Sequence, residues 1–342
     1  MSFQLVRPLP TPEEIQNALP VPAELAAVKA DRDRSIREVF EKKNAKFIVV
    51  IGPCSAHDAD AVHDYVCRLA RVQESVKDSL VLIPRIYTNK PRTTGQGYKG
   101  MAHQPDHLKK PNIAEGIRAI RAMHLRSLRD SHLTAADEML YPTNHPYLDD
   151  LLSYVAVGAR SVENQHHRLT ASGLNIPVGM KNPTSGDLQV MLNSIQAAQL
   201  PHVFSYNGWE VSTPGNPFAH AILRGAMNHY GHVIPNYHYE DLAYLAELYQ
   251  KRGLANPTIF VDTNHDNSGK KHQEQPRIAM ELMRSRAHSP MLGKLVRGLV
   301  IESFLEPGSQ PADGDVYGQS ITDPCLGWTE TEELLKRIAE SV

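Results

Sequence analysis

The sequence predicts an α/β architecture, a (β/α)8 TIM barrel preceded by an N-terminal arm. Three observations carry that expectation. Eight short apolar runs of strand length alternate with longer helical patterns. Cations and good metal ligands stand at or just past the ends of those runs, where parallel-sheet folds place their chemistry. A chain of 342 residues is also long enough for one large barrel.

Residues 1–45 are rich in proline and charge and contain the helical stretch PAELAAVKADRDRSIREVFEKK. They read as an arm or cover, and residues 46–342 as the barrel. The strand candidates follow in order: FIVVI (47–51), LVLIPRI (80–86), TAADEML (134–140), VAVGAR (155–160), IPVGMK (176–181), HAILRG (220–225), TIFVD (258–262) and GLVIES (298–303). A ninth run, HVFSY (202–206), fits only as a short excursion between two barrel strands. A doubly wound open sheet shows the same alternation, because periodicity alone does not close a barrel.

Lys+Arg 36 against Asp+Glu 38 is near neutrality, which argues against nucleic acid or an anionic membrane as the main partner. The N-terminus lacks an apolar signal core, and no run approaches a membrane span. A cytoplasmic protein is the expectation. Three cysteines without framework spacing point to reduced thiols, one of them free to act as a ligand.

The strand ends are unusual. Arg85, Arg160, Lys181 and Arg224 each terminate a run, with Lys90, Arg92 and Lys99 in the loop NKPRTTGQGYKG. One such cation is ordinarily a salt-bridged surface group. Four at strand ends predict a site for a small, multiply anionic substrate. Cys54, His265, Glu302 and Asp323 follow apolar runs or lie close behind one. Each alone is more often a core thiol, a structural histidine or a cap. Together they offer mixed S, N and O donors, which suit Mn, Fe, Co, Zn or Cu better than Mg or Ca. His166 and His167 are adjacent and poorly placed to share an ion. His229, His232 and His238 lie in a turn-rich segment and read as an exposed decoy.

The segments IGPCSAHD, NKPRTT with YKG, GARSVENQHHR, ASGLNIPVGMKNPTSGD, ILRG, VDTNHDNSGKKHQEQ, IESFLEPGSQ and YGQSITDPCLGW resemble, in order and spacing, the class I 3-deoxy-D-arabino-heptulosonate 7-phosphate (DAHP) synthase family. The resemblance implies a barrel enzyme of the shikimate pathway, hence of aromatic amino acid biosynthesis. It would condense phosphoenolpyruvate with erythrose 4-phosphate, use one divalent metal ion and form a homodimer or homotetramer. It implies Cys54, His265, Glu302 and Asp323 as metal ligands. Arg85, Lys99, Glu138, Arg160, Lys181 and Arg224 are implied for phosphoenolpyruvate, and Lys90, Pro91, Arg92 and Thr93 for the aldose phosphate. Lys90 and His265 are the candidates for acid–base work.

The chain departs from the family pattern in places. The loop PRTTGQGYKG has one residue more, and PHVFSYNGWEVSTPGN is several residues shorter than the family segment that carries an inhibitor-site hairpin. Feedback control by an aromatic amino acid is therefore expected to be weakened, absent or rebuilt. The rival readings are a related condensing enzyme with another acceptor, such as arabinose 5-phosphate, and an inactive regulatory barrel that binds phosphorylated metabolites. A metal-dependent hydrolase on the same fold is the third rival.

Overall fold

The computed structural model describes residues 2–342. Each of the eight apolar runs forms a strand: β1 Phe47–Gly52, β2 Leu80–Pro84, β3 Ala135–Glu138, β4 Leu152–Val157, β5 Val178–Lys181, β6 Ala219–Leu223, β7 Ile259–Asp262 and β8 Val296–Glu302. All pair in parallel and in chain order, with β8 beside β1. The seam between β2 and β3 is closed by a bridge between Arg85 and Ala136, with Ile86 N–H donating to Ala136 O at 3.0 Å. That closure decides for the barrel over the open sheet.

Alternation along each strand sorts the side chains. Ile48, Val50, Val81, Ile83, Tyr154, Ile222, Phe260 and Val300 fill the interior. Phe47, Val49, Ile51, Leu82, Val155, Val261 and Leu299 face the surrounding helices. Gly298 is required by that filling, since a Cβ there would lie 2.4 Å from Cζ of Phe260.

The helices are α1 Pro12–Ala18, α2 Ala23–Phe40, α3 Ala59–Val76, α4 Ile113–Ser131, α5 Gln165–Ala171, α6 Leu188–Gln199, α7 Tyr239–Arg252, α8 His265–Ser268, α9 Gln275–His288, α10 Pro290–Leu295 and α11 Trp328–Glu340. Several begin at side-chain caps: Asp58, Asn164 and Asp187 each accept two backbone N–H bonds. Among the described residues, no helix is long and apolar enough to cross a membrane.

The N-terminal segment is more than a cover. Ile36, Val39 and Phe40 of α2 join the interior cluster, and the Phe40 ring stacks on Phe260 at 5.8 Å and lies 4.8 Å from His220. These contacts fall where β6 and β7 begin, so α2 plugs the bottom of the barrel and leaves the upper, C-terminal mouth for chemistry. The HVFSY run lies outside the barrel as expected. His202–Tyr206 pairs antiparallel with Trp209–Thr213. Both turn residues, Asn207 and Gly208, have positive φ, which a two-residue hairpin turn requires. A second small ribbon, Ala226–Met227 with Val233–Ile234, follows β6.

Candidate active site

Because the strands are parallel, their C-terminal ends bring distant sequence together at one mouth. A cavity of about 370 Å³ opens there, lined by Arg85, Lys90, Pro91, Arg92, Thr93, Glu138, Arg160, Lys181 and Arg224, with His265 and Asp323 at one side. Glu138 ends β3, and Gly158 makes room for it: a Cβ at 158 would sit 2.1 Å from Glu138 Oε1. Arg160 Nε donates to Thr93 Oγ1 at 2.8 Å and ties the KPRT loop to the end of β4. Arg92 Nε donates to Tyr98 O at 2.8 Å. Lys99 is not among the lining residues; its carbonyl accepts from Lys90 N–H at 2.9 Å, so the longer loop uses this residue to shape the turn.

Cys54, Glu302 and Asp323 converge, with a ligand atom from each within 4.8 Å of the others. His265 approaches from the α8 turn, its Nε2 3.7 Å from Glu302 Oε1 and its Nδ1 2.9 Å from Asp262 Oδ2. Glu302 is the trio member in ion-pair distance of His265, which also acts on Asp323 through its charge; His265 itself has φ +48°, a left-handed conformation in the turn after β7. Among the described residues no second group of this kind forms. His166 packs its ring against Phe204 and Tyr206, and His238 pairs with Glu281.

Charge explains how these groups tolerate burial. Burial pushes the Cys54 thiol up to about 11, and neighbouring Glu302 adds to the shift. Burial opposes the charge of Lys90, but Cys54, Asp323 and Glu302 outweigh it and hold the ammonium above the ordinary lysine range. Asp262 is equally disfavoured by burial, yet His265 and Lys181 hold it well below the usual carboxylate range. Lys181 Nζ lies 2.8 Å from Asp262 Oδ2. Arg85 lies 2.9 Å from Glu302 Oε1, off the hydrogen-bond direction, and its guanidinium sits 3.9 Å over the Tyr87 ring.

The trio fits a divalent ion on three grounds. Glu302 Oε1 is buried without a hydrogen bond. The donors are a thiol and two carboxylates, with the His265 imidazole nearby, a set for borderline metals. A cation already occupies the space between them: Lys90 Nζ lies 2.7 Å from Cys54 Sγ and 2.8 Å from Asp323 Oδ2. Asp262, Asp266 and Lys270 escaped the sequence reading. A carboxylate three residues before the histidine was the available signal for Asp262, and the GKK run the one for Lys270. Lys270 Nζ reaches Asp323 at 3.1 Å.

Fold and site together define a barrel of the enzyme class that carries a cluster of potential metal donors beside a cation-lined cavity. The DAHP synthetase I family profile matches residues 22–336. The Phe-sensitive phospho-2-dehydro-3-deoxyheptonate aldolase of Escherichia coli (strain K12) is 36% identical over 98% of this chain and 95% of its own length. The Tyr-sensitive enzyme of the same strain is 36% identical over 98% of the chain and 93% of its length. The Haemophilus influenzae aldolase of this type is 37% identical over 94% and 88%. A solved phospho-2-dehydro-3-deoxyheptonate aldolase from Francisella tularensis superposes with a TM-score of 0.92 at 31% identity, covering 100% of this chain and 98% of that one. The chain belongs to the DAHP synthetase I family.

Proposed function

We propose that this chain condenses phosphoenolpyruvate with erythrose 4-phosphate to give 3-deoxy-D-arabino-heptulosonate 7-phosphate and phosphate. The observation that carries the reading is one cavity lined by Arg85, Lys90, Arg92, Arg160, Lys181 and Arg224, with Asp323 of the ligand trio in its wall. Two anionic substrates repel one another, so the first task of these cations is to neutralise and align them. Arg85 and Lys181 are held by carboxylates from below, which limits their rotamers before substrate arrives. The Arg160 to Thr93 bond joins a residue implied for phosphoenolpyruvate to one implied for the aldose phosphate, which supports two adjoining anion sites.

Cys54, Glu302, Asp323 and His265 would hold a divalent ion of the Mn, Fe, Co, Zn or Cu group. When bound, that ion supplies Lewis-acid polarisation of the aldehyde oxygen. The buried Asp262 carboxylate 2.9 Å from Nδ1 favours a proton on that nitrogen, which would leave the Nε2 lone pair for the ligand cluster. Cys54, Asp323 and Glu302 favour the charged form of Lys90 over its burial, which supports a role for it as a positive charge facing the aldose phosphate. The decisive test measures phosphate release from phosphoenolpyruvate with four- and five-carbon aldose phosphates, with and without chelator. Preference for a five-carbon acceptor overturns the substrate assignment, and full activity in chelator overturns the metal assignment.

Three Escherichia coli relatives are named for sensitivity to phenylalanine, tyrosine or tryptophan. Of the three regulatory outcomes expected from the shortened segment, we propose the rebuilt one. Its support is the retained hairpin and a cavity of about 700 Å³ between it and α2, lined by Phe204, Tyr206, Arg37 and Asp149. Activity unchanged by millimolar levels of each aromatic amino acid removes this proposal. Exposed Phe3, Leu5 and Val6 on the arm support the homodimer or homotetramer, which sedimentation tests directly.

A further inference from the structure

The carboxylates that hold the strand-end cations are not placed alike. Asp262 and Glu302 are fully buried, lie beneath Lys181 and Arg85, and do not line the cavity. Asp266 does line it, and its Oδ2 pairs with Nη1 of Arg224 from beside that guanidinium. The backbone fixes the acid there. Asp266 N–H donates to Arg224 O at 3.2 Å, and the next residue, Asn267, donates through Nδ2 to Leu223 O and Asp262 O at 3.2 and 2.8 Å. These bonds hold the Asp266 backbone against the end of β6, which sets its carboxylate beside Arg224.

A negative charge held inside a cavity built for anions works against binding. An incoming phosphate or carboxylate must share the Arg224 fork with Asp266 or displace it, and the two like charges repel across a partly dehydrated site. A purely structural ion pair would sit behind the cation, as those of Asp262 and Glu302 do.

Resting on the substrate assignment above, we propose that Asp266 is an affinity-setting residue, a resident counter-ion that competes with the substrate anion for Arg224. It weakens the hold on phosphoenolpyruvate and on released phosphate alike. Binding that is equal in ground and transition states adds nothing to turnover once substrate exceeds KM, so a fixed competitor at this position speeds exchange without touching the reacting atoms.

The test is equilibrium binding of phosphoenolpyruvate and of inorganic phosphate to the metal-loaded full chain, by calorimetry at constant ionic strength. The proteins are wild type, Asp266→Asn and Asp266→Glu. Asp266→Asn keeps the volume and removes the charge, and both dissociation constants are expected to fall about tenfold. Asp266→Glu keeps the charge and stays within about threefold of wild type. Ligand-free Asp266→Asn melts lower than wild type and recovers with phosphoenolpyruvate, because Arg224 is left unpaired until an anion arrives. If Asp266→Asn does not fold, Asp266→Ser is read in the same way. Unchanged affinity overturns the proposal, and so does weaker affinity, which would make Asp266 a positioning residue. Failure of wild type to bind phosphoenolpyruvate overturns the substrate assignment instead, while the phosphate arm still decides the counter-ion role.

Discussion

Asp262→Asn is the most informative single substitution in this barrel. The carboxylate is fully buried and touches three groups: Oδ2 lies 2.8 Å from Lys181 Nζ and 2.9 Å from His265 Nδ1, and Oδ1 accepts from Asn264 N–H at 3.0 Å. An amide of the same size keeps the packing and one acceptor but removes the charge. Lys181, itself only 4% exposed, is then a buried ammonium without a counter-ion. Breaking one side of a buried pair costs about 3–5 kcal/mol, most of it from the charge left behind. The same change loosens the tautomer and orientation of His265, and losing an outer-shell partner lowers metal affinity by about 10- to 100-fold. Urea unfolding of the metal-free protein reads the first effect, and competition with a chromophoric chelator the second. The double variant Asp262→Asn/Lys181→Met is the control, because removing both charges is close to neutral. Stability within about 1 kcal/mol of wild type for the single variant, with metal affinity within about threefold, would refute the reasoning.

Other outcomes follow from the same geometry. Phe40→Ala opens the plug against Phe260 and His220 and is expected to lower unfolding stability by about 3–5 kcal/mol, read by urea denaturation. Activity per folded molecule should survive, since Phe40 lies at the end of the barrel opposite the cavity. Gly298→Ala drives a methyl into the Phe260 ring and is expected to lose about 1–3 kcal/mol by the same measurement. His220 is fully buried, with Nδ1 donating to Phe218 O and Nε2 accepting from Tyr154 Oη, and burial pulls its pKa down to about 3. Its folded pKa is below the unfolded value near 6.5, so only the unfolded chain gains a proton as the pH falls between them. That one group therefore removes about 1.4 kcal/mol of stability per pH unit below about 6.5. A His220→Asn variant that keeps the wild-type slope between pH 6.5 and 4.5 would refute this assignment.

What was legible in the sequence, and what was not, follows one physical division. The eight strands could be read because each is buried on both faces, so the runs are continuously apolar and stand out against the helices. The four metal candidates stood out because parallel pairing sends every strand end to the same rim. Three of them meet closely, and the fourth, His265, lies 3.7 Å from Glu302 on the turn after β7, a distance that no spacing rule conveys. The plug formed by α2 was hidden for a related reason: its apolar positions are few, and only the closed barrel gives Ile36, Val39 and Phe40 a floor to fill. Lys99 does not line the cavity, because a loop's direction depends on its hydrogen bonds, here the Lys90 to Lys99 backbone bond.

Asp262 and Asp266 were missed together, although they stand on either side of the histidine that drew attention. Both carry ordinary signals in one dimension, an acid ending a strand and an acid starting a helical turn. Their roles separate only when depth is known. Asp262, at the last residue of β7, points below the rim and steadies Lys181 and His265. Asp266, four residues on and lifted by the α8 turn, lines the cavity and faces Arg224. A shift of one helical turn along the chain thus changes a carboxylate from a support for the anion site into a competitor within it. Composition alone assigns both the same charge, and for that reason the depth of each acid relative to the strand ends, more than the number of cations, sets how tightly this site can hold a phosphate.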